Sequence, residues 1–170
     1  MLPNKILKRA AAIFGTAAIG AIASAAVASP GSGVTSTTFV TANFDETTHV
    51  NSDRVKFQTK DATDVRVQQL VFAPGAFSGW HHHPGVLVVT VASGLITLTD
   101  SSCNSKTYGP GSPNGAVFVE GGDEPIEASS AGGATNFVTT ITPDGEAPRI
   151  EDDVPACATA TTFRTPQNQR

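Results

Sequence analysis

What most constrains this chain is how often its apolar runs are cut short. From Asp64 to Ile141 each run of Val, Ile, Leu or Phe meets a Gly, Pro, Asn, Asp or Ser before it could complete a helix, and no helical periodicity appears outside the N-terminal segment. Asp64 to Ala73 alternates Val65, Val67, Gln69 and Val71 against Arg66, Gln68, Leu70 and Phe72, the period-two pattern of a strand. Pro74-Gly75 and Ser78-Gly79 bracket a turn region, Trp80 to His83 reads as a short strand, and Pro84-Gly85 turns again. Val86 to Ala92 is a buried β-branched run, Ser93-Gly94 separates it from Leu95 to Thr99, and further runs occur at Ala116 to Val119, near Ile126 and at Phe137 to Ile141. About eight short strands punctuated in this way describe an all-β sandwich or barrel.

Composition narrows the class further. A length of 170 residues suits one domain. With 39% hydrophobic and 15% charged residues the chain is too apolar for disorder, and 11 Lys+Arg against 15 Asp+Glu argue against a nucleic-acid partner. No Gly-x-Ser-x-Gly and no phosphate-cradling loop before a helix is present, so hydrolase and nucleotide readings have no support.

The N-terminus has the order of a secretory signal. Lys5, Lys8 and Arg9 precede an uncharged Ala/Ile/Gly run from Ala10 to Val27, and Ala26-Val27-Ala28 offers small residues for cleavage after Ala28. An uncleaved anchor is the competing reading, but much of the run is Ala and Gly rather than Leu. With residues 1–28 removed as a signal peptide, the 11 basic residues lose three and 8 remain against 15 acidic ones. The mature protein is then expected to be secreted or held in the cell envelope outside the cytoplasm, with no membrane partner. Residues 29–37 read as a flexible leader with order beginning near Phe39, 38–158 as the domain, and 159–170 as a polar tail. Cys103 and Cys157 are the only cysteines, and in an exported chain they are expected to form a disulfide.

Three of the four histidines are adjacent, and on a strand His81 and His83 project to one side while His82 projects to the other. Two imidazoles on one face are the start of a metal site. Gly75, five residues, His81, one residue, His83, three residues, position 87, six residues and Gly94 follow in order. This arrangement resembles the first signature of the cupin family, Gly-x5-His-x-His-x3 or x4-Glu-x6-Gly. Leu87 or Val88 stands where the family has its glutamate. The second signature, Gly-x5-Pro-x-Gly-x2-His-x3-Asn, has its nearest counterpart at Gly115, with Gly121 at the proline position and Ile126 at the third histidine. The resemblance covers roughly residues 60 to 142.

The resemblance implies a small antiparallel jelly-roll barrel with His81 and His83 on its inner wall. With two of four protein ligands missing, a divalent metal (Zn, Mn or Fe) is expected to be held weakly at most; Glu120, Asp123, Glu127 and His49 are candidates to complete the shell. The cavity is expected to hold Leu87 with Phe77 or Trp80, and His82 to be exposed or bonded to backbone. Tyr108 reads as loop packing, and Glu151-Asp152-Asp153 as a solvated acidic turn rather than a calcium loop. Three functions stay in view: a binding module for a small organic ligand, a metal-dependent dioxygenase or isomerase using the two histidines, and a structural cell-envelope protein. Whether the chain is an enzyme stays open, and by analogy with cupins so does a homodimer.

Overall fold

Ten strands and one short helix follow one another through residues 30–159, the part of the chain that the computed structural model describes. They are β1 (Ser32–Phe44), β2 (His49–Asn51), β3 (Lys56–Gln58), β4 (Thr63–Phe77), β5 (His81–Gly94), β6 (Ile96–Asp100), β7 (Ser105–Tyr108), β8 (Val117–Ser130), β9 (Ala134–Pro143), β10 (Ile150–Glu151) and α1 (Ala156–Thr159). All pairings are antiparallel, and they nest: β6 with β7, β5 with β8, β4 with β9. Further pairing of β5 with β9, and of β8 with the end of β4 through Ala76↔Ser130 and Phe77↔Ser129, closes β4, β9, β5 and β8 into a ring. Nested antiparallel pairs rolled up in this way make a jelly-roll barrel, the all-β fold expected from the sequence. The pair β2–β3 forms a separate hairpin.

Three strands are longer than the sequence punctuation implies. β4 has 15 residues and β5 and β8 have 14 each, so Pro74-Gly75 and Pro84-Gly85 lie inside strands rather than between them. They act as bends. The β5–β8 ladder slips register on both sides of His83, and the three backbones crowd there: a Cβ on Gly121 (φ 145°) would lie 2.1 Å from the Gly85 carbonyl oxygen, and one on Gly85 would lie 2.0 Å from that of Ile141. Only glycine fits such an approach.

Ser32–Phe44 corrects the expected leader. This segment pairs with β4 from Ser32↔Phe77 to Phe44↔Thr63, so order begins well before Phe39. Nearly all its side chains are exposed, which means backbone bonding to the edge of β4 holds it rather than burial. Apolar patterning cannot reveal a strand of that kind. Residues 1–28 and 160–170, the expected signal segment and all but the first residue of the expected tail, lie outside the described residues.

The core is formed by Phe72 and Ala76 of β4, Leu87, Val89 and Val91 of β5, Ile96 of β6, Phe118 of β8, and Ala134 and Val138 of β9. β5 shows how it is built, since Leu87, Val89 and Val91 are buried while Val86, Val88 and Thr90 between them are exposed. Cys103 and Cys157 form the expected disulfide, which fastens the C-terminal segment to the loop between β6 and β7. No helix among the described residues is long and apolar enough to cross a membrane.

Candidate functional site

Strand register decides what faces the interior of the ring. Arg66 of β4 lies opposite Thr140 of β9, Thr140 opposite Leu87 of β5, and Leu87 opposite Glu120 of β8. The next inward row is Gln68, Val138, Val89 and Phe118. Both rows line a cavity of about 480 Å³, within the range of small-molecule sites. One row is mostly polar and the next mostly apolar.

His81 and His83 enter the same cavity from the first turns of β5 and are almost wholly buried, at 4% and 6% exposure. Their rings stand edge-on at 90° with centroids 4.8 Å apart. Each is held by a backbone carbonyl: His81 Nδ1–H donates to Gly79 O at 2.8 Å and His83 Nδ1–H to Pro148 O at 2.5 Å. A carbonyl oxygen can only accept, so both rings carry the proton on Nδ1 and keep Nε2 as the lone-pair nitrogen. Burial, joined by the charge of nearby Arg149, lowers the pKa of His81 to about 4; burial lowers that of His83 as well. Both imidazoles are therefore neutral at pH 7.

Glu120 completes this corner. Its Oε1 lies 3.6 Å from His83 Nε2, too far for a hydrogen bond, and burial raises its pKa to about 7 against the opposing pull of Arg149. With the imidazole neutral, the contact is not an ion pair in the ordinary sense. His83 Nε2, Glu120 Oε2 and Asn136 Oδ1 are all buried with no hydrogen-bond partner within the chain, and all three residues line the cavity. Buried polar atoms left this way cost about 1–3 kcal/mol each unless something bonds to them.

A C-terminal strap frames the same corner. Pro148 supplies the carbonyl to His83, and β10 pairs with β5 at His82 and His81. Arg149 binds Glu151 through two nitrogens, at 2.5 and 2.9 Å, and donates to Ser78 O at 2.7 Å. That ion pair holds the carboxyl of Glu151 below its usual range.

Of the residues expected at the site, His81, His83 and Leu87 line the cavity. Phe77 and Trp80 are not among its lining residues. Strand alternation accounts for both: Phe77 follows inward-facing Ala76, and Trp80 precedes inward-facing His81, so each turns to the other side. Trp80 is nonetheless buried, at 3% exposure. His82 is neither exposed nor bonded to backbone; its Nδ1–H donates to the Asp152 carboxylate at 2.9 Å. Glu151 and Asp152, read as a solvated turn, thus serve the strap. Of the four candidates to complete a metal shell only Glu120 adjoins the histidines, while His49 sits exposed on β2 and Asp123 is exposed on β8. Tyr108 packs on Phe118 with ring centroids 4.8 Å apart.

Sequence reasoning did not find Arg66, Gln68, Asn136 or Arg149 as lining residues. The signal for two of them was the alternation of β4, in which Arg66 and Gln68 share a face with Leu70 and Phe72.

No protein-family model matches the sequence, and no curated protein matches it either. Among solved structures the fold is similar to a cupin-2 domain protein from Rhodospirillum rubrum, at 10% identity and a TM-score of 0.48 over 78% of this chain and 72% of that one. It is also similar to a DMSP lyase, at 20% identity and a TM-score of 0.39 over 48% of this chain. A third is salicylate 1,2-dioxygenase from Pseudoaminobacter salicylatoxidans in complex with gentisate, at 15% identity and a TM-score of 0.38 over 44% of this chain. The chain spans 40% of the lyase's length and 19% of the dioxygenase's. At this level of overlap the likeness fixes neither family nor activity.

Proposed function

We propose that this chain is an exported cupin-like barrel whose cavity binds a small organic ligand, with at most weak binding of a divalent metal such as Zn, Mn or Fe. One observation carries the reading: three buried polar atoms without partners, on His83, Glu120 and Asn136, line a single cavity whose remaining wall mixes apolar and polar side chains. A ligand that bonds to them relieves that cost. Export is supported by the disulfide, a bond that persists in oxidising compartments, together with the N-terminal signal pattern.

The fit to a metal is partial. Two neutral imidazoles with their Nε2 lone pairs kept and a neighbouring carboxyl group are the right kinds of donor. Yet among the described residues no group of three or more His, Cys, Asp or Glu side chains converges on a common metal position. No reaction step is therefore derived through a metal. The second reading, a metal-dependent enzyme of dioxygenase or isomerase type, is favoured by one specific feature: Glu120 lies directly across from Leu87, the position the family resemblance reserves for glutamate.

A homodimer is supported by the outer face of the ring. Val86, Val88, Val117, Val119 and Phe137 are exposed there, and no charged residue interrupts the outward positions of β5, β8 and β9 beside them. An uncharged patch on an otherwise acidic protein is the surface on which two copies repel each other least.

Metal analysis of the purified protein and a thermal-shift screen of small organic molecules test the function. The reading expects no stoichiometric metal after dialysis against a chelator, and a saturable rise in Tm with cavity-sized compounds that is lost in a His83→Ala, Asn136→Ala variant. About one transition metal per chain, retained through dialysis and lost in His81→Ala, His83→Ala, moves the assignment to the enzyme.

A further inference from the structure

Arg66 stands apart from the other described arginines. It sits half-buried on the cavity wall, on β4, which pairs with β9 and not directly with the histidine strand β5. The other two described arginines have carboxylate partners, Arg54 with Asp53 and Arg149 with Glu151. Among the described residues Arg66 has none, and its side chain makes no hydrogen bond. Asp64, two positions earlier on the same face of β4, does not come within ion-pair distance. Beside Arg66 on that face stands Gln68, also half-buried and also without a side-chain partner, and β1 brings Ser36 and Thr38 to the same edge of the cavity.

A cation facing a cavity in an acidic protein, with no carboxylate within ion-pair distance of it, matches an anionic group on a ligand. Its planar fork suits a carboxylate, which accepts two parallel hydrogen bonds from it. Next to this end the wall turns apolar at Leu70, Val89, Phe118 and Val138, and beyond them lies Asn136 Oδ1, which accepts but has no donor. We propose that the cavity takes a small organic acid: a carboxylate held by Arg66 and Gln68, an apolar body against those four side chains, and a hydroxyl or N–H group reaching Asn136. This rests on the reading of the cavity as a small-molecule site.

Calorimetric titration of the full, disulfide-bonded chain with three matched probes tests it: cyclohexanecarboxylate, cyclohexanecarboxamide and cyclohexylammonium. The acid is expected to bind about tenfold or more tighter than the amide and the ammonium. Arg66→Gln should bring the acid down to the level of the amide and leave the amide unchanged. Arg66→Lys, which keeps the charge and loses the fork, should retain part of the preference and show it weakening with salt. If Arg66→Gln does not melt cooperatively, Arg66→Lys decides alone, and an acid preference equal to wild type overturns the proposal. Equal binding of acid and amide by the wild type overturns it too while leaving the small-molecule function standing. Binding of none of the three removes both.

Discussion

The two faces of the ring β4–β9–β5–β8 both depart from the usual arrangement of a half-buried sheet: polar groups stand among the apolar core inside, and apolar ones are exposed outside. Inside are Arg66, Gln68, Thr140, Glu120 and two imidazoles; outside are Val86, Val88, Val117, Val119 and Phe137 with exposures from 37% to 64%. A barrel selected only for stability would place apolar side chains inward and polar ones outward. The difference gives each face its own test: the inner polar groups for a small ligand, the outer apolar groups for a second copy.

The strap is the first place to break this comparison, because Pro148 orients His83 and β10 pairs with the backbone at His81 and His82. Replacing Cys103 and Cys157 by serine should cost about 4 kcal/mol in denaturant unfolding, from the loop that the bridge closes. Loosening of the strap should also let the His81 pKa rise from about 4 toward 6.5 in an NMR titration. Unchanged stability would mean that strand pairing alone holds residues 148–157 in place.

Next in size is the carboxyl group of Glu120. Its folded pKa of about 7 lies above the 4.5 of an unperturbed glutamate, so its contribution is fully present below pH 4.5 and is lost as pH rises through 7, by about 3 kcal/mol at the upper bound. His81 acts in the opposite sense: with a folded pKa near 4 against 6.5, its contribution is present above pH 6.5 and lost as pH falls through 4. Glu120→Gln should remove the first effect and keep the second. Its stability relative to wild type should therefore climb between pH 5 and pH 8 in urea melts. Parallel pH profiles would show that Glu120 is solvated.

How much of this was legible beforehand differs from strand to strand. β5 could be read closely, because its alternation is strict and its glycines meet real crowding, as at Gly94, where a Cβ would lie 2.1 Å from Gly133 O. The disulfide was legible from the cysteine count and the signal-like pattern of the N-terminus. β1 was not, since an edge strand held by backbone bonds needs no apolar pattern. The strap was not either: Pro148, Arg149 and Asp152 sit far from the histidines in sequence, and only folding brings them to β5. Glu120 was weighed as one loop carboxylate among several, because its pairing with Leu87 depends on a register that bulges shift.

The outer face offers a smaller effect on the fold and a sharper one on assembly. Val119→Lys should turn a dimer into a monomer in sedimentation while changing monomer stability by no more than about 0.5 kcal/mol, as expected of an exposed position. A wild type that sediments as a monomer at all concentrations removes the second copy from the account. Smallest of all should be Asp152→Asn, which breaks the His82 contact at the rim; with both side chains under 20% exposed, about 1 kcal/mol or less is expected in thermal melts.

The central claim is that two buried, neutral imidazoles on the cavity wall keep their Nε2 lone pairs. Nitrogen-15 NMR of the histidine rings reads this directly, because it reports both the tautomer and the pKa of each ring. The account predicts that His81 and His83 carry their proton on Nδ1 and that burial lowers the pKa of both, with His81 titrating near pH 4. Rings protonated on Nε2, or titrating together near pH 6.5 as solvated histidines do, would contradict it.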